Sequence, residues 1–380
     1  MSLDLKILGD KLRRFREQLA VPLGELTRRT GISLDRLSSF EAASTLPSGD
    51  EILILADYYR CDYRFFISND KLSAFDQTEM LFRKHDDQFS PADRRAVQDF
   101  LFLCECEYDL LRRKQPVTPK RLRLSRDFSP REQAEHAAVA LRKFLGLPPH
   151  KLEHDVYDAI RRLGIRVFRR RLANSRISGL FIQHPVAGPC ILVNYGEDTF
   201  RQRFTAAHEL GHAIFDATDE FVVSFSGHDT SVIEQRANTF ASRFLMPPEF
   251  LRLIPESNQW NRDKLLYWAQ RMRVNPESLC YALKQARLMT SQGVNQLKGT
   301  RLPRESKVDP EIPPTLAEGS QIRMRASLAL GLSRPYVSLC FEAYAEGYVS
   351  WARLSEMLLT DETNLTEIAL QYGVGITHGD

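Results

Sequence analysis

The chain has 380 residues, 43% of them hydrophobic and 27% charged, with a formal net charge of only +3. That length allows two or three domains, each able to bury its own core, and so small a charge excludes wholesale coating of nucleic acid. Six scattered cysteines without a C-x-x-C pair, no apolar run of about 18 residues and no signal-peptide core exclude a secreted disulfide scaffold and a membrane partner, and point to the cytoplasm.

Leu8 to about Ile67 reads as five short helices. Leu8, Leu12, Phe15 and Leu19 make one helical stripe, and Leu23, Leu26 and Thr30 another. Gly31-Ile32-Ser33 gives a turn with Ser33 as helix cap, followed by Leu34, Leu37, Phe40 and Glu41. Pro47-Ser48 opens a further helix carrying Ile52, Leu53, Leu55, Ala56 and Tyr59. This order, assigned to residues 1–70, resembles the phage-repressor-type (XRE) helix-turn-helix family. Glu41, Pro47 and Ser48 match that family's pattern. Thr27 stands where it usually has alanine, and Ala43 where it usually has glycine. The resemblance implies DNA as a partner, with Arg36, Ser38 and Ser39 facing the bases. Yet within residues 1–65 Lys6, Lys11 and eight arginines are balanced by ten acidic side chains, so surplus phosphate contacts are few. Docking onto a similar repressor domain is the alternative role.

Residues 71–128 read as a helical spacer and basic linker. Thr78 to Lys114 is helical with an interruption at Ser90-Pro91, where Ser90 and Asp93 form a cap, and Val97, Phe100, Leu101, Leu103, Cys104, Leu110 and Leu111 follow. Such a helix serves as spacer or dimer contact. Pro116 and Pro119 keep the stretch from Gln115 to Asp127 extended, with Lys120, Arg121, Arg123 and Arg126 exposed.

Residues 129–290 carry the chemistry. Helices are expected over Pro130 to Leu145 and His154 to Leu163, and strands over Ile165–Arg169, Ile177–Ile182 and Cys190–Asn194, with a turn at Pro185 to Pro189. An edge of that small sheet would hold an extended substrate by strand addition. Phe204 to Phe215 reads as one buried helix containing His208-Glu209-Leu210-Gly211-His212. Histidines four apart lie on one helical face, roughly 6 Å apart along the axis, so both imidazoles reach one ion at about 2.0–2.1 Å. Glu209 is placed to take a proton from water at that ion, as a general base. Gly211 costs about 1 kcal/mol against alanine in a helix, so a close neighbouring backbone should need its missing side chain.

A catalytic site of this kind uses three protein ligands and leaves one position open. The best third candidate is Glu234, at the edge of the helical face of Ile233, Ala237, Phe240, Ala241 and Phe244. Ala237 and Ala241 would let the two helices pack closely, and Asn238 would hydrogen-bond the liganding carboxylate. His228 and Asp219 are rivals on loops.

Phe204 to Asp216, Glu234-Gln-Arg-Ala-Asn-Thr-Phe-Ala241 and Leu245-Met-Pro-Pro248 together resemble the ImmA/IrrE family of metallo-endopeptidases, with a likeness spanning roughly residues 129–290. The resemblance implies a zincin-like domain with a small β-sheet, His208, His212 and Glu234 as metal ligands, and Glu209 as catalytic base. It also implies cleavage of regulatory proteins, often helix-turn-helix repressors. Zinc is the default ion for two imidazoles and a carboxylate, with manganese or iron able to use the same ligands.

Residues 291–320 are polar and proline-containing, a second linker, and 321–380 return to helical spacing with Leu328, Leu332, Tyr336, Leu339, Cys340 and Tyr344. This small helical C-terminal domain would serve as dimer contact, making a homo-oligomer, or as an autoinhibitory cap. The whole is expected to be α+β and mainly helical. Its expected function is that of a stress- or signal-responsive endopeptidase acting on a repressor or other regulator. The alternatives are a DNA-binding transcriptional regulator, or an antitoxin-like binding protein, with a structural or sensory metal site.

Overall fold

The structure, a computed structural model, describes residues 3–69, 73–114, 128–227 and 231–375. The basic linker 115–127 and His228 lie outside them.

In the N-terminal module each helix begins where a polar side chain can take up free amides. Asp4 accepts from Lys6 and Ile7 at the start of α1 (Leu5–Gln18). α2 (Leu23–Thr30) ends at Gly31, whose φ of 74° makes the left-handed turn, and Ser33 caps α3 (Leu34–Glu41). Ser48 and Glu51 form a reciprocal capping box on α4 (Gly49–Tyr59), and α5 (Arg64–Ile67) closes the set. The five expected helices surround a core that includes Leu12, Phe15, Leu26, Phe40 and Tyr59. Leu34 and Leu53, counted with the apolar spacing, instead point outward. Both departures from the repressor pattern leave a trace. Ala43 sits at φ 56°, a left-handed conformation in which a Cβ costs about 1–2 kcal/mol. Thr27 buries a hydroxyl that has no hydrogen-bond partner.

α7 (Pro91–Lys114) begins at the expected Ser90-Pro91, but α6 (Ser73–Lys84) already ends at Lys84, so the interruption is longer than the sequence suggested and holds a 3-10 turn, Asp86–Gln88. The Asp93 amide donates to Ser90 Oγ, and the Ser90 amide donates back to the Asp93 carboxylate. The other Asp93 oxygen accepts from the amides of Ala173 and Asn174, pinning α7 to a loop of the sheet. Arg94 and Gln98 of α7 donate to the carbonyls of Gln18 and Arg60, which seats the N-terminal module on this helix.

The rest of the chain runs α8 (Pro130–Phe144), α9 (Val156–Arg162), β1 (Arg166–Arg170), β2 (Ile177–His184), β3 (Gly188–Asn194), α10 (Thr199–Phe215), β4 (Phe221–Phe225) and α11 (Val232–Leu245). Four short helices follow, α12 (Pro248–Leu253), α13 (Arg262–Met272), α14 (Pro276–Gln285) and α15 (Ser291–Leu297). The last four are α16 (Glu318–Ala329), α17 (Arg334–Ala345), α18 (Trp351–Met357) and α19 (Leu365–Tyr372). The sheet order is β1-β3-β2-β4, with β1 parallel to β3 and β2 antiparallel to both its neighbours. β4 was not expected from the sequence, and it forms one edge of the sheet.

Strand alternation divides the core in two. Val167, Phe181, Ile191 and Val193 face the layer of α8 to α11. Phe168, Leu180, Ile182 and Leu192 face α7 and the C-terminal helices. With helices on both faces the strands read as near-continuous apolar runs. The segments read as a spacer and as a separate small domain meet on that second face, where Leu103, Cys104, Tyr336 and Cys340 share one cluster with Phe168. The stretch 291–320, read as a linker, holds α15 and a loop whose Asp309 and Glu311 pair with Arg169 at 2.6 Å each, while Glu311 also meets Arg161 at 2.7 Å. Its polar composition signals buried ion pairs rather than a free tether. Among the described residues no helix is long and apolar enough to cross a membrane.

Candidate metal centre

α10 is capped by Asp198, which accepts from the Phe200 amide, and its first residue, Thr199, lies five residues before the helix expected from the sequence. α11 crosses it closely. A Cβ built on Gly211 would lie 3.1 Å from Ala237 Cα and 3.3 Å from the Phe240 ring, so the missing side chain lets the two backbones approach. Ala237, Phe240, Ala241 and Phe244 are buried at this crossing, but Ile233, read as part of the same face, is 41% exposed. It lies in the first turn, beyond the crossing.

The approach brings three side chains to a point. His208 Nε2 and His212 Nε2 are 3.0 Å apart, and they lie 3.0 and 3.2 Å from the two oxygens of Glu234. Donors arranged tetrahedrally around an ion at about 2.0–2.1 Å stand roughly 3.3 Å from one another, so this set fits a divalent cation. Among the described residues it is the group of histidine, cysteine and acidic side chains that can hold an ion. Of the rivals, Asp219 is exposed on the turn after α10.

The remaining ring nitrogens are held from behind. His212 Nδ1 meets Asp216 at 2.8 Å, and Asp216 is in turn paired with Arg236, whose guanidinium lies over the Phe215 ring. His208 Nδ1 meets Asn238 Oδ1 at 3.1 Å. Asn238 thus supports an imidazole, not the Glu234 carboxylate expected from the sequence. A hydrogen bond at Nδ1 fixes the ring and leaves Nε2 free for an ion. Burial lowers the His212 pKa, but hydrogen bonds to Asp216 and Glu234 outweigh it and carry the pKa up to about 10. Burial works to raise the Glu234 carboxyl, and the two imidazoles reverse this and hold it at about 2.

Glu209 is fully buried, and neither carboxylate oxygen makes a hydrogen bond of good geometry, although the Ser224 hydroxyl of β4 is near enough to favour its charged form. Burial raises its pKa against the pull of His212 and His208, making it a stronger base than an exposed glutamate. An orphaned buried carboxylate is expensive, and such groups persist at sites of chemistry. Its seat is made by Gly179 of β2, where a Cβ would fall 2.5 Å from Glu209 Oε1. Sequence reading passed over Gly179 and Asp216. Their signals were a glycine inside an apolar strand, which marks close approach, and an acid one turn after the second histidine.

His208 and Glu234 open onto a cleft of about 750 Å³. Ser224 and Phe225 of β4 form one side, and Arg201 and Thr205 continue the α10 face below His208. Arg201 and Thr205 both bind the buried Glu197, at 2.7 and 3.0 Å, and are held in place by it. No residue of the C-terminal helices lines this cleft, so among the described residues the tail does not cap it.

The expected DNA-facing residues lie far from this centre in sequence, on α3. Arg36 and Ser38 are exposed and Ser39 is half-buried. The Arg36 guanidinium is held by both oxygens of Glu51, at 2.6 and 2.7 Å, and Ser39 Oγ donates to the Arg36 carbonyl.

Residues 160–284 match the IrrE N-terminal-like domain family, and residues 7–63 match a helix-turn-helix domain family. The chain carries both domains. Over 102 residues it is 34% identical to the radiation response metalloprotease IrrE of Deinococcus radiodurans, covering 25% of this chain and 30% of that relative. The chain therefore matches less than a third of that relative's length.

Proposed function

We propose that this chain is a regulatory metal-dependent endopeptidase that cuts a repressor or another regulatory protein in response to stress or a signal. The observation that carries the reading is the convergence of His208, His212 and Glu234 beside the orphaned carboxylate of Glu209. His208, His212 and Glu234 would hold the ion, zinc by default or manganese or iron. When bound it supplies Lewis acidity toward a carbonyl and toward water. Glu209 takes the proton of the attacking water and returns it to the leaving amine, a task suited to a buried carboxylate of raised basicity. Asp216 and Asn238 keep both imidazoles turned toward the ion. β4 supports strand addition as the mode of substrate binding, because it is the outer strand and borders the cleft.

The N-terminal module would bring the peptidase to DNA or to its target repressor. Exposed Leu34, Leu46, Leu53 and Ile54, beside an Arg36 already committed to Glu51, support protein docking over base contact. The test is a comparison of new protein termini in cells carrying the native chain or Glu209→Gln, with bound metal measured in both. Cuts that vanish in the variant while its metal remains support the reading. A physiological partner cut equally by Glu209→Gln overturns it.

A further inference from the structure

The cleft continues past the metal centre. Along α11 its wall passes from Glu234 through Asn238 and Ser242, and a second depression of about 800 Å³ follows it from Arg243 to Pro248. Along α8 the wall passes from Arg131 to Glu135, Val139 and Lys143, and Gln285 of α14 borders both stretches. The same three helices thus wall both depressions, which meet at Gln285. Glu234 and Pro248 are about fourteen residues apart, roughly 20 Å at about 1.5 Å per helical residue. That length accommodates about six residues of extended chain.

The second stretch has its own chemistry. Val139 is 60% exposed, and Pro148, Pro149 and Pro248 add apolar surface without donors. Its charge is positive. Arg142 donates to the carbonyls of Phe244, Pro148 and Lys151, and Arg243 is neutralised by Glu135. Lys143 and Arg252 are exposed and have no ion-pair partner among the described residues, against one unpaired carboxylate, Glu249.

We infer that this stretch binds the segment of the protein substrate lying beyond the bond to be cut, and that this segment carries apolar and acidic side chains. The inference rests on the peptidase reading. A chain seated in the cleft and directed past Glu234 enters the groove next, which names the occupant. Lys143 and Arg252 set its charge.

The probes are fluorescein-labelled peptides of about 12 residues, long enough for cleft and groove, alternating leucine with glutamate or leucine with lysine. Their affinity is read by anisotropy at physiological salt on the Glu209→Gln chain, which separates recognition from turnover. The acidic peptide should bind at least about tenfold tighter, and the double reversal Lys143→Glu with Arg252→Glu should invert the order. An inverted preference is not something a merely misfolded variant would give. Equal affinities, a preference untouched by the reversal, or a dimer of the chain that the reversal dissociates would each overturn the proposal. If Glu209→Gln cuts the physiological partner as well as the native chain does while the inversion holds, the peptidase reading fails and the groove stands as a peptide site. If cutting depends on Glu209 but peptide binding ignores both residues, the groove proposal fails alone.

Discussion

Gly179→Ala should disable the chemistry while leaving the ion-binding set intact. The new Cβ would meet Glu209 Oε1 at 2.5 Å and Thr205 Cγ2 at 2.8 Å. To reach ordinary contact at 3.4 Å the carboxylate oxygen must retreat by roughly 0.9 Å. Glu209 is fully buried on a rigid helix against a sheet strand, so little room exists to absorb the shift elsewhere. A displacement near 1 Å costs a positioned catalytic group on the order of 100-fold in rate. Overpacking of this size should also destabilise the fold by about 1–3 kcal/mol. None of His208, His212 or Glu234 is among the nearest contacts of the added carbon, so bound metal should stay stoichiometric. Elemental analysis of the purified protein, peptide turnover and a urea titration measure the three quantities. A Gly179→Ala chain that retains metal and full turnover would refute the placement of Glu209 as base.

Asp216→Ala should weaken metal binding by about 10- to 100-fold, because the His212 ring loses the partner that orients it, and competition with a chelator reads this directly. Unchanged affinity would show the contact to be incidental. Ala43→Gly should stabilise the chain by about 0.5–1 kcal/mol by relieving a left-handed alanine, with a shift in denaturation midpoint as the measure. Any loss of stability there contradicts the backbone assignment. Glu311 is raised by burial but more strongly lowered by Arg161 and Arg169, so its folded pKa lies below the ordinary 4.5. Its stabilising contribution is therefore complete above the unfolded value and lost as pH falls through the folded one. The melting-temperature gap between the native chain and Glu311→Gln should be constant above about pH 5 and shrink below it, and a gap independent of pH would count against the ion pairs.

The two histidines, the glutamate between them, the helical caps and the five-helix order of the N-terminal module follow from spacing along the chain. A helix fixes which residues share a face within a few turns, so a local pattern is enough to place His208 beside His212 and Ser48 beside Glu51. Glu234 was legible for a related reason, since small residues at 237 and 241 announced a close crossing. What stayed hidden depended on which distant segments meet. Asn238 turned to an imidazole, Gly179 became the seat of Glu209, and polar residues 309 and 311 were drawn into buried ion pairs with β1 and α9. β4 is only five residues long and gains its identity from pairing with β2. The chain's local periods thus chose the chemical groups, while contacts across long sequence separations, which no local period encodes, decided how they are oriented, buried and fed.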